Sequence, residues 1–308
     1  MRSDAITLRQ LRALLAVDRH GSLTAAAAEI GLTVPAIHSQ VKGLEAALDC
    51  SLVRRKSDNA GSELTAEGRA VLDAAGRIEG ILSQCMTEVQ AIARGFNGRV
   101  TLGVVSTGKY FGPWLVKMLH QRCPETEIAL RVGNRETIIA GLDRGTLDLA
   151  IMGRPPRHPP VEAQALGAHP HGLLVAPDHP LADGGRADID RLLENVFLSR
   201  EEGSGTRILM TRYLDRIGEG RVVDFLEMDS NETIKQAAMA GLGVAFLSLH
   251  TVTEELASGR LVRVNLPDLP IIRQWFLVQP AGREARAVVG RLRDHILALN
   301  GAYLPRLD

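Results

Sequence analysis

Thr65 to Arg94, thirty residues without a proline, constrain this 308-residue chain more than any other stretch. Read as one helix, they reach about 45 Å at about 1.5 Å per residue, too long to lie within one small domain. Val71, Ala75, Ile78, Leu82, Cys85, Val89 and Ile92 recur at 4-3-4-3 spacing along it. That is the a/d seam of a helix that meets a partner helix. A stripe of this kind can also pack on its own domain, but a helix this long leaves much of it uncovered. The expectation is a helix that separates two bodies and joins two copies of the chain. The boundaries that follow are 1–64, 65–94 and 95–308, with Gly95-Phe96-Asn97-Gly98 as a hinge.

The first body reads as all-α with a wing. Ile6 to Asp18 carries Leu8, Leu11, Leu14 and Leu15 at helical spacing, and His20-Gly21 ends it. Ser22 is a good N-cap for an alanine-built helix, Leu23 to Ile30, which Gly31 closes. Thr33 caps a third helix that tolerates Pro35 in its first turn. In Thr33 to Glu45, Ile37, Val41 and Leu44 form an apolar face, and Thr33, Val34, His38, Ser39 and Lys42 a lean polar one. Two helices joined by a short glycine-containing turn are the helix-turn-helix signature, and the lean face suits a DNA major groove. Leu52 to Lys56 and Glu63 to Thr65 then read as a β-hairpin, with Arg54, Arg55 and Lys56 placed to lie against phosphates.

Charge does not advertise nucleic-acid binding. The chain is neutral overall, and residues 1–94 hold eleven Lys/Arg against eleven Asp/Glu. The cations must therefore be positioned rather than abundant. One copy should bind DNA weakly, because phosphate neutralisation supplies much of the affinity. Cys50, Cys85 and Cys123 show no metal-ligand spacing and read as buried, reduced thiols. Met1 to Thr7 has no apolar core of an export signal, and no apolar run reaches the ~18–20 residues of a membrane helix, so a cytoplasmic protein without membrane contact is expected.

At this point a resemblance becomes specific. Gly21-Ser22-Leu23-Thr24, Ala26-Ala27, Leu32-Thr33, Pro35-Ala36, Gln40-Val41-Lys42 and Leu44-Glu45, with Leu52, Arg55 and Leu64-Thr65-x-x-Gly68, resemble the N-terminal domain of LysR-type transcriptional regulators. The resemblance implies DNA contacts from Ser22, Thr24, Thr33, Val34, Pro35, Ala36, His38, Ser39, Gln40, Lys42, Arg54, Arg55 and Lys56. Val34 stands where that family usually has glutamine and His38 where it has serine; packing against a thymine methyl is the contact open to Val34. Val53 replaces a usual phenylalanine, and the wing tip, Asp58, Asn59 and Glu63, is less basic than usual.

From Arg99 strands and helices alternate. Strands are expected at Val100–Val105, Glu127–Val132, Leu147–Met152, Gly172–Ala176, Val196–Ser199, Val222–Met228, Gly243–Leu247 and Ile271–Val278. Helices are expected at Tyr110–Gln121, Arg135–Arg144, Gly205–Ile217, Ser230–Ala240, Thr251–Ser258 and Ala285–Leu299. The alternation implies parallel sheet in two α/β lobes, 99–167 with 272–308 and 168–271, joined by crossovers near Gly167–His171 and Pro267–Ile272. This resembles the periplasmic-binding-protein-like effector domain of the same family. The fold class is thus α/β with an N-terminal winged helix-turn-helix, a linker helix and a two-lobed effector domain.

Ligands of open α/β sheets sit at the carboxyl ends of strands. Four turns there place donors at helix N-termini: the turn with Ser106, Thr107 and Lys109; that of Asn134, Arg135 and Glu136; that with Ser204, Thr206 and Arg207; and that with Asn231 and Thr233. Arg154 follows the third strand. Helix N-termini with hydroxyls and cations favour phosphate or carboxylate, although Ser, Thr and Asn also cap helices routinely. Val105-Ser106-Thr107-x-Lys109-Tyr110-Phe111, Val132 to Glu136, Asp148 to Pro156, Glu201 to Arg207 and Asn231 to Ala237 resemble the regulators of Calvin-cycle (RuBisCO) operons. That branch implies control of CO2-fixation genes and an effector such as ribulose 1,5-bisphosphate, phosphoenolpyruvate, 2-phosphoglycolate or NADPH. The seam and the hinged two-lobed module lead to the expectation of a homodimer, a homotetramer built as a dimer of dimers on an operator in double-stranded DNA, and contact with RNA polymerase. Alternatives are a LysR-type regulator of another metabolic operon or a two-lobed solute-binding protein. An enzyme is disfavoured: His158, His169, His171 and His179 read as surface or hinge residues, and hydrolase, phosphate-loop and zinc-peptidase motifs are absent.

Overall fold

The computed structural model describes residues 3–55, 61–282 and 286–307. The chain divides into two units, Met1–Met86 and Thr87–Asp308, so the helix from Thr65 is shared between them.

In the first unit α1 spans Leu8–His20, α2 Leu23–Glu29 and α3 Val34–Leu48. The first helix begins two residues later than its apolar pattern suggests. The Thr7 hydroxyl accepts the Gln10 N–H and the Gln10 side chain accepts the Thr7 N–H, a reciprocal cap that fixes the start at Leu8. Ala26 and Ala27 are buried against Ala13, Ala16, Ile37 and Val41, which small side chains on α2 make possible. Strands β1 (Val53–Arg55) and β2 (Ser62–Leu64) form the expected hairpin, with Val53 opposite Leu64 and Arg55 opposite Ser62. Helix α4 runs over Ala66–Ala93, capped by the Thr65 hydroxyl, which accepts the Gly68 N–H at 2.9 Å. Gly68 is required there: a Cβ would lie 2.1 Å from the Leu52 carbonyl oxygen.

The α4 stripe is divided. Val71, Leu72 and Ala75 pack with Leu11, Leu14, Leu44, Leu52 and Leu64 in the unit's own core. The first two seam positions are therefore spent inside the domain. Ile78, Cys85, Val89 and Ile92 are exposed and Leu82 is half-buried. Ile81 and Met86, outside the predicted stripe, are exposed beside them.

The second unit is built from β3 (Arg99–Val105), α5 (Gly112–Arg122), β4 (Glu127–Gly133), α6 (Arg135–Asp143), β5 (Leu149–Met152), β6 (Val161–Val175), α7 (Ile189–Leu193), β7 (Phe197–Arg200), α8 (Gly205–Gly218), β8 (Phe225–Met228), α9 (Asn231–Met239), β9 (Val244–Ser248), α10 (Thr253–Ala257), β10 (Val262–Arg263), β11 (Ile271–Pro280) and α11 (Ala287–Ala298). Its strands form one nine-stranded sheet in the order β4-β3-β5-β11-β6-β9-β7-β8, with β10 added on β6. Strands β3, β4 and β5 are mutually parallel, as are β7, β8 and β9. The two crossovers are not loops. Strands β6 and β11 pair antiparallel from Ile271↔His171 to Pro280↔Val161 and carry the sheet from one lobe into the other, with a bulge at Trp275/Phe276. Sequence reading found only the end of β6, because Pro159, Pro160, Gly167 and Pro170 read as connector. It also extended β8 back to Val222, which lies outside the strand and is 95% exposed. Helix α7 and strand β10 have no expected counterpart; both are short and lie between loops.

Each lobe buries apolar side chains on both sheet faces, as parallel strands require. Phe111, Trp275 and Tyr303 anchor lobe one, Phe111 meeting Trp275 edge-on at 5.0 Å. The last turns of α4 are tied to this unit. Arg286 bonds Glu88 of α4, Asp148 at 2.9 Å and the Arg99 carbonyl at 3.0 Å. No helix among the described residues is long and apolar enough to cross a membrane.

Candidate functional site

The first unit presents α3 and its wing. Ile37, Val41 and Leu44 are buried, which turns Thr33, Val34, Pro35, His38, Ser39 and Lys42 outward; Ala36 and Gln40 are half-buried. Thr24 is exposed on α2. Ser22 and Thr33 are occupied as caps, accepting the N–H groups of Ala25 at 3.2 Å and Ala36 at 3.3 Å. Lys56, with wing-tip Asp58 and Asn59, lies outside the described residues. Arg54 and Arg55 stand on β1, and Arg54 pairs with Glu63 at 2.7 Å. The cations on this face are thus partly neutralised by neighbours.

One feature escaped sequence reading. Glu45, on the inner side of α3, accepts the N–H groups of Leu52 at 2.8 Å and Val53 at 3.2 Å, and pairs with Lys42 at 2.7 Å. Burial would raise its pKa, but the Lys42 bond and the two N–H groups outweigh burial and hold it below the usual carboxylate range. One carboxylate therefore fixes the wing to the helix that would enter the groove.

The second unit holds a cavity of about 410 Å³ at the carboxyl ends of β3, β5 and β7. Of the sequence-predicted residues, Ser106, Thr107, Arg135, Arg154, Ser204 and Thr206 line it. Ser106 and Thr107 follow β3, Arg135 opens α6, and Ser204 and Thr206 open the fourteen-residue α8. The Ser204 hydroxyl makes no capping bond, and the N-terminus of α8 faces the cavity. The other six predicted residues lie elsewhere. Lys109 pairs with Glu232 at 3.3 Å. Asn134 accepts the Thr137 N–H at 2.9 Å, and Asn134 and Glu136 close against Gly203, where a Cβ would lie 2.5 Å from the Glu136 carboxylate. Arg207 bonds Glu227 and the Arg200 carbonyl. Asn231 accepts from Arg200, and Thr233 meets the Ser230 hydroxyl at 2.8 Å. These side chains close helix ends and join the lobes, work that looks the same as ligand binding in a sequence.

Sequence reading missed Arg157, Arg200, Arg212 and Arg273, which with Arg135 and Arg154 bring the arginines lining the cavity to six. No acidic side chain lines the cavity among the described residues. Arg200 is countered from behind, bonding Glu201 at 2.6 and 2.8 Å. Burial, and then the neighbouring charge of Arg154, push the Arg135 pKa down. Positive charge held against burial and a like neighbour is the electrostatic setting an anion relieves. Arg212 was findable: it follows Ser204 and Ile208 at i+4 spacing on α8, so all three share a face. Arg273 was not, because it enters on the far crossover strand.

His169 and His171, expected at the surface or hinge, are hinge residues but buried, 3% and 4% exposed. His169 stacks on Trp275 with centroids 3.7 Å apart and meets the Ser248 hydroxyl at 3.0 Å. His171 donates to the His169 carbonyl at 3.0 Å, and Trp275 donates to His250 at 3.1 Å. Burial pushes all three imidazoles down, His171 to about 3 and His250 to about 4; for His169 the charges of His171, His250 and Arg273 add to burial. His158 and His179 lie apart from them, His158 exposed near Asp143 and His179 accepting the Leu181 N–H. Cys123 is buried as expected, but Cys85 is exposed and Cys50 half-buried.

Residues 8–69 match the bacterial regulatory helix-turn-helix protein family of LysR type, and residues 93–300 match the LysR substrate binding domain. The chain belongs to the LysR-type transcriptional regulators. It is 57% identical to the HTH-type transcriptional regulator CbbR of Cereibacter sphaeroides, over 99% of this chain and 98% of that one. It is 37% identical to the RuBisCO operon transcriptional regulator of Allochromatium vinosum, over 95% and 96% of the two chains. The regulatory domain of Synechocystis PCC6803 CcmR, solved in complex with 2-PG, superposes with a TM-score of 0.61 at 33% identity, covering 66% of this LysR-type chain and 97% of CcmR's. The family is one of DNA-binding regulators, not of enzymes, which disposes of the enzyme and solute-binding alternatives.

Proposed function

We propose that this LysR-type regulator works in the cytoplasm on the operon for CO2 fixation and that its cavity takes a small phosphorylated or carboxylated metabolite. One observation carries the ligand class: six arginines line a cavity of about 410 Å³, with no acidic residue in its lining among the described residues. Arginine forks match phosphate and carboxylate oxygens two at a time, and the α8 N-terminus adds N–H donors. Candidates are ribulose 1,5-bisphosphate, phosphoenolpyruvate, 2-phosphoglycolate and NADPH; the complex of CcmR with 2-PG supports an anion of this size. The regulated genes follow from the relatives that act as CbbR and RuBisCO operon regulators.

The operator is double-stranded DNA. In this reading α3 enters the major groove and the wing lies on phosphate, with a weak single-copy affinity raised by pairing. The exposed Ile78, Cys85, Val89 and Ile92 and the half-buried Leu82 keep the a/d spacing and support a dimer through α4. Two dimers form a tetramer that spans two sites and bends the DNA between them. Effector binding shifts the lobes, relaxes the bend and lets RNA polymerase engage. A thermal-shift screen of the four candidates, followed by footprinting of the fixation-operon promoter, tests this. A ligand that raises the melting temperature and changes the footprint is expected. Failure of every anion to stabilise the protein would sink the cavity reading; a footprint indifferent to a bound ligand would sink the mechanism.

A further inference from the structure

The six arginines of the cavity do not stand at one depth. Arg200 is 3% exposed, and Thr107, Ser204 and Thr206, also on the lining, are buried with it. Arg154, Arg157, Arg212 and Arg273 are exposed, which places them at the opening. None of these four side chains has a hydrogen-bond or ion-pair partner among the described residues.

Exposed arginines are ordinarily just solvated, but these four arrive from three separate elements. Arg154 and Arg157 follow β5 in lobe one, Arg212 lies on α8 in lobe two, and Arg273 lies on the crossover strand β11. Like charges gathered beside a lining without acidic residues repel one another, and the charge of Arg154 is felt at Arg135. An anion at the opening relieves that repulsion. The opening is also set apart from the inner end. Along α8 the backbone rises about 12 Å from Ser204 to Arg212, at about 1.5 Å per residue. Ile208 and Leu209 line the cavity between them. A volume of about 410 Å³ falls in the range of pockets for drug-sized ligands, more than one anion of the size of 2-phosphoglycolate occupies.

We propose that the cavity holds two anion subsites. The inner one is built from Thr107, Arg200 and the N-terminus of α8, and the outer one from Arg154, Arg157, Arg212 and Arg273. The outer subsite takes a second phosphate or carboxylate, which comes either from the far end of a longer effector or from a second small anion. A compound as short as 2-phosphoglycolate or phosphoenolpyruvate needs only the inner subsite to bind. The inference rests on the anionic-effector reading and divides its site.

The test titrates the full chain calorimetrically with ribulose 1,5-bisphosphate and with 2-phosphoglycolate at one fixed salt concentration. The variant is Arg157→Gln with Arg212→Gln, one change from each lobe, and the two are also made singly. Both side chains are exposed, so the unliganded fold tolerates their loss. The double variant should weaken the bisphosphate at least about tenfold, the value of a charge-assisted contact, and the tighter 2-phosphoglycolate site at most about threefold. The number of 2-phosphoglycolates bound by the wild type separates the two sources. Two per chain, the weaker one lost in the variant, assigns the outer subsite to free anions as well; one per chain assigns it to the far end of a longer ligand. Equal weakening of both compounds overturns the proposal, because arginines that only steer anions towards the opening act on every anion alike. A double variant that binds the bisphosphate as tightly as the wild type overturns it too. Binding of neither compound by the wild type is a different result: it removes the anionic-effector reading, and this inference with it.

Discussion

The uncharged histidines beneath the cavity make a quantitative prediction about acid. His169, His171 and His250 are all less than about 6% exposed and stay neutral in the fold, whereas in the unfolded chain each titrates near 6.5. Their folded pKa values are depressed, so the unfolded state binds more protons below that value. Stability is fully present above about pH 6.5 and falls as pH drops towards the folded values, about 3 for His171 and about 4 for His250. Going from pH 7 to pH 5, a ring that refuses its proton costs about 2 kcal/mol. The three together cost roughly 4–6 kcal/mol, and at about 2–4 °C per kcal/mol for a unit of this size the melting temperature falls by roughly 10–20 °C. Carboxylates barely contribute, because their unfolded values lie below this window. The assay is a thermal melt of the full chain at pH 7, 6 and 5, following the transition that an anionic ligand raises. His171→Phe should remove about a third of the acid loss. A melting temperature that changes by less than ~3 °C, or a His171→Phe protein as acid-sensitive as the wild type, would refute the assignment of the loss to these rings.

Arg135→Ala and Thr107→Ala should abolish the response to an anionic effector and leave DNA retention intact, checked by thermal shift and by gel retention on the same preparation; equal loss of both functions would show the site misplaced. Glu45→Ala strands the Leu52 and Val53 N–H groups and should cost the first unit about 2–3 kcal/mol in denaturant melts, with loss of DNA retention. Gly68→Ala forces a Cβ against the Leu52 carbonyl and should destabilise the same unit by more than about 2 kcal/mol, unlike Gly290→Ala, where nothing lies within 4 Å. Val89→Glu, on the exposed run of α4, should shift the sedimentation of the protein towards the monomer; an unchanged profile would place the dimer contact elsewhere.

Much of this architecture was legible because each element carries a local signal. Ser22, Thr33, Asn134 and Ser230 announce helix starts through capping chemistry that acts within three residues, and each caps the helix it precedes. The alternation after Arg99 is similarly local. The cavity was only half legible, because the same chemistry serves two ends. Ser204 and Asn134 both open helices at strand ends, yet one faces the cavity and the other closes the lobes together. Arg273 and His169 reach the cavity through a pairing between residues about a hundred positions apart, Arg273↔His169, and no local pattern encodes that. The division of the α4 stripe was hidden for the same reason: Ala75 and Val89 share a periodicity, and only the presence of Leu52 and Leu64 beside one of them separates their roles.

The paired crossovers also decide which movements the lobes can make. Two loops would allow the lobes to swing apart like a hinge pin. Here β6 and β11 are laced together over ten paired positions, and sliding one past the other by a residue would turn every buried side chain outward. Shear is therefore blocked, and stretching is blocked by the ladder itself. What a two-stranded ribbon does allow is a change in its twist, most readily at a bulge. The bulge falls at Trp275/Phe276, the residue pair whose indole lies on His169. A ligand bound as proposed above would press on the ribbon near its most compliant point. The lobes would then answer by rotating about the long axis of the ribbon, like the two ends of a wrung cloth, and a rotation of that kind would be felt at the far edges of the sheet more than at the cavity itself.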